Sequence, residues 1–151
     1  MRMRLTSSAF GPNAHIPVRY TCDGANVSPP LTWDDPPAGT RSLVLVCSDP
    51  DAPGGVWHHW AIYDIPAATR ALAEAWPPTR KSPPQAINDF RRAGYGGPCP
   101  PRGDAQHHCH FRLYALSVES LGRQVHCGDV DAAAQSHAIA VAELVGCYRR
   151  V

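Results

Sequence analysis

Prolines interrupt this chain at short intervals and leave little room for long helices. Sixteen prolines and twelve glycines are spread over 151 residues. Proline pairs such as those at 29–30 and 36–37 stop a helix, because proline has no amide N–H and clashes with the preceding turn. This spacing is typical of a protein built from short strands and many turns. The length fits one domain, residues 1–151, that is large enough to bury a core.

Apolar runs between the turns predict strands, and one alanine-rich run predicts a helix. Residues 42–48 are almost entirely apolar, which is typical of a central strand covered on both faces. The helix is predicted over residues 129–142 with Asp129 as its N-cap, and residues 67–72 are predicted to form a short helical turn. The predicted strands are residues 16–21, 42–48, 57–64, 108–118 and 143–150. These elements indicate a mostly β, sandwich-like fold of two packed sheets with one helix near the C-terminus.

Charge and hydropathy argue against two kinds of partner. The formal net charge is +1 and no basic run is present, which argues against a nucleic acid held through its phosphates. No window approaches the roughly 18–20 apolar residues of a transmembrane helix. The alanine-rich helix has too small an apolar face to anchor on a bilayer. The N-terminus lacks the apolar segment of a signal peptide, so we expect a cytoplasmic protein.

The six cysteines show no metal-binding or redox motif. No CxxC spacing occurs, so zinc-ribbon and thioredoxin-like sites are not predicted. Without an export signal we expect the thiols to be reduced. Cys47, Cys109 and Cys147 lie in strand-like runs and are predicted to be small buried apolar residues. Cys22 and Cys99 both lie in turns, and whether they pair is left open.

Two acidic residues follow the end of one predicted strand, and two histidines lie at the starts of two others. In ideal strands the residues expected to share a face are Trp57, His59, Ala61 and Tyr63 on one strand, and His107, Cys109, Phe111 and Leu113 on another. If these strands flank the one that ends at Asp49 and Asp51, His59 and His107 converge with the two carboxylates. Protonated imidazoles and backbone N–H groups of a turn bind small anions well. A rigid turn beside two ordinary half-buried histidines is the alternative interpretation.

Three motifs occur in order along the chain: DPDAP at 49–53 with WHHW at 57–60, GYGGPCPP at 94–101, and His107-His108 followed by FRLYAL. Together they resemble the phosphatidylethanolamine-binding protein family, also called the Raf kinase inhibitor-like proteins. YTCDGANVSPPLTW and INDFRRAGYGGPCPP resemble the prokaryotic branch of the family. Three ordered motifs are far more specific than any one of them. The resemblance implies a two-sheet β fold with a C-terminal helix and a small surface pocket that takes phosphate, acetate or a phosphoethanolamine head group.

Carried over position by position, the resemblance also implies which residues bind the ligand. They are Asp49, Pro50, Asp51, Ala52, Pro53, Trp57, His59, Gly97, Pro98, Pro100, Pro101, His107 and Cys109. The family usually has a histidine, a basic residue and a tyrosine where this chain has His107, His108 and Cys109. The thiol replaces a phenolic donor, and one charge-assisted hydrogen bond is worth roughly 1.5–3 kcal/mol. We therefore expect anion binding more than about tenfold weaker than in relatives with the tyrosine, or a different ligand.

The function implied by the resemblance is non-catalytic binding of a small anion or phosphorylated head group, without a cofactor. Relatives are reported as inhibitors of kinases and proteases, which implies a kinase or protease as protein partner. Prokaryotic relatives are often dimers, which implies a homodimer.

Two other functions remain open for the same residues. An enzyme would use the aspartates and histidines for acid–base chemistry, or Cys109 as a thiol nucleophile, although no GxSxG, HExxH or Walker motif is present. A metal site would take at most two ligands from residues 107–110, because successive strand residues face opposite sides. His59 and either Asp49 or Asp51 would complete a tetrahedral set.

Overall fold

A computed structural model describes residues 3–150, and within them the chain forms seven β-strands, one α-helix and one short 3-10 helix. The strands are β1 (Leu5–Thr6), β2 (Leu31–Trp33), β3 (Ser42–Asp49), β4 (Trp57–Pro66), β5 (Ala71–Leu72), β6 (His107–Leu116) and β7 (Ala138–Tyr148). The α-helix, α1, spans Cys127–His137, and the 3-10 helix spans Val18–Tyr20. A small antiparallel sheet has the order β1-β2-β5, and a larger one has the order β4-β3-β6-β7. The predicted mostly β fold with two sheets and a C-terminal helix is confirmed.

Strand β3 lies inside the larger sheet and is covered on both faces, as predicted. All eight of its residues are buried. Leu43 and Leu45 belong to the core that includes Leu31 of the small sheet. Val46 packs on the opposite side with Val130 of α1. The continuous apolar run follows from this two-sided burial, because neither face of the strand contacts water.

The helix is shorter than predicted and begins earlier. It starts at Cys127 with His126 as its N-cap, so Asp129 lies in the first turn and is not the cap. Asp129 still faces the positive end of the helix dipole. Residues 138–142 were predicted to be helical and belong to β7 instead, where a ladder with β6 pairs them except for one shift of register at residue 139. Sheet pairing here outweighs the helix propensity of alanine, which is a weak preference for any single residue.

Two other short segments also differ from the prediction. Residues 16–21 contain the 3-10 helix Val18–Tyr20 and no strand, because Pro17 fixes the preceding backbone and Thr21 N–H donates to Val18 O at 3.0 Å. Residues 67–72 form a turn, closed by Thr69 N–H to Pro66 O at 2.9 Å, that leads directly into β5. A 3-10 helix thus replaces the first predicted strand, and a turn followed by β5 replaces the predicted helical turn.

Two of the six cysteines are joined in a disulfide. Cys22 and Cys99 are bonded, with 5.4 Å between their Cα atoms, so the expectation of reduced thiols is wrong for this pair. Cys47, Cys109 and Cys147 are free and buried, as predicted. The disulfide links the turn after the 3-10 helix to the proline-rich loop at 97–101, and this loop forms part of the cavity described next.

Candidate functional site

A cavity of about 320 Å³ opens where β3 ends and where β4 and β6 begin. It is lined by Asp49, Ala52, Pro53, Trp57, His59, Phe90, Cys99, Pro100, Pro101 and His107. Strand pairing explains why these residues meet, since β3 is hydrogen-bonded to both of the other strands. Asp49 lies opposite Trp57 in the ladder, and Ser48 lies opposite His110. The antiparallel arrangement therefore brings the last residue of β3 beside the first residues of β4 and β6.

An irregularity in the ladder sets which side chains of β4 face the cavity. Cys47 pairs with Trp60 while Ser48 pairs with His58, so His59 is an extra residue on β4. Trp57 and His59 line the cavity. Beyond the irregularity the alternation is reversed. Ala61 and Tyr63 pack on the α1 side, and Trp60 and Ile62 lie in the core between the sheets. The predicted common face of Trp57, His59, Ala61 and Tyr63 is therefore wrong.

Regular alternation does hold on β6. Cys109, Phe111 and Leu113 all lie in the core between the sheets, and His107 precedes them on the same face at the cavity. The predicted face of this strand is confirmed.

His107 is held between two carboxylates. Its Nδ1 lies 2.6 Å from Asp49 Oδ2, and its Nε2 lies 3.0 Å from Asp104 Oδ2. His107 and Asp49 are both buried. Burial opposes protonation of the imidazole, but the hydrogen bonds to the two carboxylates outweigh it and raise the pKa of His107. In the protonated state both ring N–H groups donate to carboxylate oxygens.

His59 is different, because only one of its ring nitrogens has a partner. Its Nδ1–H donates to the carbonyl oxygen of Gly96 at 2.6 Å, which assigns the proton of the neutral ring to Nδ1. Within residues 3–150 the buried Nε2 has no hydrogen-bond partner, and neither does the buried indole N–H of Trp57. Burial lowers the pKa of His59 by disfavouring the imidazolium form. The side chains that line the cavity thus include one polar acceptor and one polar donor that are both desolvated, an arrangement that is costly unless a partner satisfies it.

The proline-rich loop is fastened to the turn at residues 21–26. Gly97 N–H donates to Asn26 Oδ1 at 2.7 Å, Cys22 N–H donates to Pro98 O at 3.2 Å, and the disulfide adds a covalent link. A Cβ on Gly97 would come within 2.1 Å of the Tyr20 carbonyl oxygen, so glycine is required for this close approach. These links hold Cys99, Pro100 and Pro101 in position as the wall of the cavity.

Five of the residues that the resemblance assigns to the pocket lie outside the lining of this cavity: Pro50, Asp51, Gly97, Pro98 and Cys109. Pro50 is exposed in the turn, and Asp51 faces away and accepts hydrogen bonds from the backbone N–H and Nδ1 of His108 at 3.0 and 2.8 Å. Gly97 and Pro98 use their backbone atoms to fasten the loop. Cys109 is fully buried in the core. The other eight predicted residues do line the cavity.

Sequence reasoning missed two lining residues. Phe90 packs edge-on against Trp57, with 5.2 Å between the ring centroids, and it also contacts His59. Cys99 joins the lining because it stands between prolines in the loop wall. Both residues belong to the stretch INDFRRAGYGGPCPP, so the motif could have been used to predict them as lining residues.

The structure also bears on the two alternative functions. Burial raises the pKa of the Cys109 thiol well above its ordinary value, so the thiol stays protonated and lies away from the cavity. Within the described part of the chain, no three histidine, cysteine or acidic side chains are arranged to hold a metal ion. Both alternatives, including acid–base chemistry by the aspartates and histidines, stay predictions.

The fold and the cavity together define a small two-sheet β protein with a histidine-lined surface cavity beneath a proline-rich loop. The sequence model of the phosphatidylethanolamine-binding proteins matches residues 6–149. The chain belongs to the phosphatidylethanolamine-binding protein family, as its motifs predicted.

Relatives and solved structures agree with this assignment. A UPF0098 protein of Aquifex aeolicus is 47% identical over 152 residues, which cover 98% of this chain and 89% of that protein. One from Methanothermobacter thermautotrophicus is 46% identical and is covered to 99%. The crystal structure of Escherichia coli YbcL, described as a new member of the mammalian PEBP family, superposes with a TM-score of 0.90 at 32% identity, and each chain is covered completely. A PEBP homologue from Chlamydia trachomatis, CT736, gives a TM-score of 0.86 at 38% identity and 99% coverage of both chains.

One relative bears on the cellular location. LppC of Mycobacterium tuberculosis, whose name describes it as a lipoprotein, is 44% identical over 116 residues, which cover 77% of this chain and 56% of that protein. Across residues 3–150, none of the helical structure is long and apolar enough to cross a membrane. A cytoplasmic location stays a prediction. The Cys22–Cys99 disulfide weighs against it, because disulfides persist chiefly in oxidising compartments.

Proposed function

We propose that this protein is a non-catalytic binding protein for a small phosphate-bearing anion, either free or as a head group, which it holds in the cavity between His59 and His107. The observation that carries the proposal is the pair of buried polar atoms, His59 Nε2 and Trp57 Nε1, that have no partner within residues 3–150. Both side chains line a cavity whose volume suits a small guest. A phosphate group offers acceptor oxygens to the indole N–H and, while it or its monoester keeps a proton, an O–H to the imidazole.

The charges around the cavity decide how a guest anion can reach His107. Protonated His107 supplies a positive charge, but Asp49 already accepts from its Nδ1 and Asp104 accepts from its Nε2. A guest anion therefore competes with Asp104 for the Nε2–H. Asp104 lies on the exposed side of this pair, with a side chain that is 38% exposed, so it is the carboxylate that can give way.

The proposal includes no covalent step. Cys99 is the cysteine that lines the cavity, and its sulfur is already bonded to Cys22. The kinase or protease partner and the homodimer implied by the resemblance stay predictions, since no contact described above bears on them.

Phosphate binding should weaken as the pH rises. Binding places a proton between His59 Nε2 and a phosphate oxygen, and it also requires protonated His107, so alkaline conditions remove protons that the complex needs. We expect inorganic phosphate and O-phosphoethanolamine to bind more tightly at about pH 6 than at about pH 8, values that straddle the ordinary histidine pKa. Titration followed by histidine NMR resonances should shift those of His59 and His107, with or without a chelator. Shifts that are absent, or that appear only when zinc is present, would contradict the proposal.

Removing the competing carboxylate should strengthen phosphate binding. Asp104→Asn deletes a negative charge 3.0 Å from His107 Nε2, so we expect phosphate affinity at about pH 6 to rise severalfold, on the order of three- to tenfold. The matched control is Asp51→Asn, which removes the same charge from a residue that is hydrogen-bonded to His108 and not to His107. Isothermal titration calorimetry measures both variants. Equal gains in the two would mean that only net charge matters, and the competition with Asp104 would be ruled out.

A further inference from the structure

A second and larger cavity, of about 550 Å³, shares no lining residue with the first. Three of its lining residues are cations: Arg80, Lys81 and Arg123. Lys81 is also the single lysine of the sequence. Among the described residues that line this cavity, none carries a carboxylate. Its charge is therefore uniformly positive, although the whole chain has a formal net charge of only +1.

The three cations of this second cavity differ from five arginines elsewhere in the described chain. Elsewhere the chain neutralises Arg19, Arg41, Arg70, Arg112 and Arg150 with carboxylates at 2.6 to 3.4 Å. Arg80, Lys81 and Arg123 form no ion pair with any residue between 3 and 150. Their charge is left available to a group from outside the described chain.

Arg80 is held in place by contacts that leave its charge unmatched. Its guanidinium carbon lies 4.3 Å from the centre of the Trp76 ring, and its Nε–H donates to Ser82 O at 3.1 Å. The cation–π contact and the hydrogen bond restrict the side chain without neutralising it. Neither terminal amino group of this guanidinium is bonded to a residue of the described chain. A guanidinium fixed in this way is suited to bind a carboxylate, phosphate or sulfonate through two parallel hydrogen bonds.

The rest of the lining is mainly apolar, and apart from the exposed Thr79 hydroxyl its polar side chains are hydrogen-bonded to other described residues. Pro78, Pro84, Ile87 and Val125 face the cavity, and Val125 is 51% exposed. The Gln85 side-chain amide is occupied by three partners, since its Nε2 donates to Pro77 O and Arg80 O and its Oε1 accepts from Trp60 Nε1. The charged groups of the lining are therefore all cations, and the remaining wall is available for hydrophobic contact.

We propose that the second cavity is a separate binding site for a small amphipathic anion. The acidic head of the ligand contacts Arg80, Lys81 and Arg123, and its apolar or aromatic body covers Pro78, Pro84 and Val125. This occupant follows from charge complementarity together with the exposed apolar wall. A purely inorganic anion leaves that wall in water, and a neutral apolar molecule leaves the three cations unmatched. The proposal does not depend on the function assigned to the first cavity.

The test uses anilinonaphthalene sulfonate, an aromatic sulfonate whose fluorescence rises in an apolar site, with the full chain. We expect saturable binding that phenyl phosphate displaces at concentrations where inorganic phosphate does not. Arg123→Glu and Lys81→Glu should each weaken binding by about tenfold or more, because each replaces an attraction with a repulsion. Arg41→Glu is the matched control, since it makes the same charge change at a position outside the cavity and should leave binding unaltered.

Lys81 and Arg123 are exposed, and neither side chain is hydrogen-bonded or ion-paired to another residue between 3 and 150. We therefore expect both variants to fold, and unchanged circular dichroism verifies this point. Equal weakening by Arg41→Glu would overturn the proposal by showing that only net charge matters. Non-saturable fluorescence, or loss of binding only in Trp57→Ala at the first cavity, would also overturn it. Binding of anionic phosphatidylglycerol vesicles without binding of the soluble probe would replace the small ligand with a membrane surface, and the proposal would fail.

Discussion

Replacing both Cys22 and Cys99 with serine should lower the free energy of unfolding by about 4 kcal/mol. The disulfide joins residues that are 77 positions apart and closes a long loop in the unfolded chain. Its loss therefore raises the conformational entropy of the unfolded state. The hydrogen bonds from Cys22 N–H to Pro98 O and from Gly97 N–H to Asn26 Oδ1 remain, so the folded structure keeps its local links. Urea unfolding of the wild-type and variant proteins under non-reducing conditions measures the difference.

A reducing agent provides the internal control for this disulfide. It should destabilise the wild-type protein to about the level of the double serine variant and should leave that variant unchanged. A thiol assay of the unfolded, unreduced wild type should detect the four cysteines that are free in the folded protein. Six reactive thiols, or a wild-type stability that does not respond to reductant, would show that the bond is not formed.

The same loss of the disulfide has a consequence at the first cavity. Cys99 lies in the wall between Pro98 and Pro100, and the wall would then be held by hydrogen bonds alone. If the compartment of this protein becomes reducing, stability and ligand affinity should therefore decline together.

The parts of the fold that were predictable from sequence are those in which each residue has the same surroundings as its neighbours. β3 was found because its residues are buried on both faces, and that environment leaves a continuous apolar run. The face of β6 that carries His107 was found because its ladder with β3 is regular. In a strand with a regular ladder, such as β6, the two-residue period of side chains is enough to predict which residues share a face.

Prediction failed where pairing between distant segments decided the local structure. Nothing in the sequence WHHWAIYD at 57–64 marks His59 as an extra residue, yet it reverses the faces of Ala61 and Tyr63. The helix prediction ran past His137 because alanine does not reveal that β6 offers a free edge to residues 138–148. The Cys22–Cys99 pair could not be derived from spacing, because nothing local brings residues 77 positions apart together.

In the candidate site, too, some contacts were predictable from the sequence and others were not. The resemblance placed Asp49, His59 and His107 together, and the structure brings these three side chains to one cavity. It did not show that Asp51 faces His108, nor that Asp104 occupies the second nitrogen of His107. Those contacts depend on how the loop at residues 101–106 returns to the sheet, and no sequence period describes a loop.

His107→Phe should lower the free energy of unfolding by about 3–4 kcal/mol at about pH 6. The substitution keeps an aromatic ring but leaves the buried carboxylate of Asp49 without the imidazole that lies 2.6 Å away. An unpaired buried charge costs more than its partner contributed, because the desolvation of the carboxylate remains. Urea unfolding of both proteins across a range of pH measures the loss and its pH dependence.

The pH dependence has a definite sign. Burial lowers the pKa of His107, but the hydrogen bonds to Asp49 and Asp104 outweigh it, so the pKa is raised in the folded protein. Its contribution to stability is therefore complete below the ordinary histidine pKa of about 6.5 and is lost as the pH rises through the raised folded value. The difference in unfolding free energy between wild type and His107→Phe should narrow as the pH rises. A difference that stays constant would mean that His107 is not protonated in the folded protein.

Adding Asp49→Asn to His107→Phe separates the charge effect from packing. The asparagine keeps the side-chain oxygen that accepts from Asp51 N–H at 2.8 Å, but it removes the stranded negative charge. If the cost of His107→Phe comes mainly from that charge, the double variant is more stable than the single one, and the two substitutions are strongly non-additive. If the phenyl ring fails to fit between β3 and β6, Asp49→Asn restores nothing. Recovery of stability would therefore locate the energetic requirement in the Asp49–His107 pair itself, the same pair that fixes the position of the imidazole at the cavity.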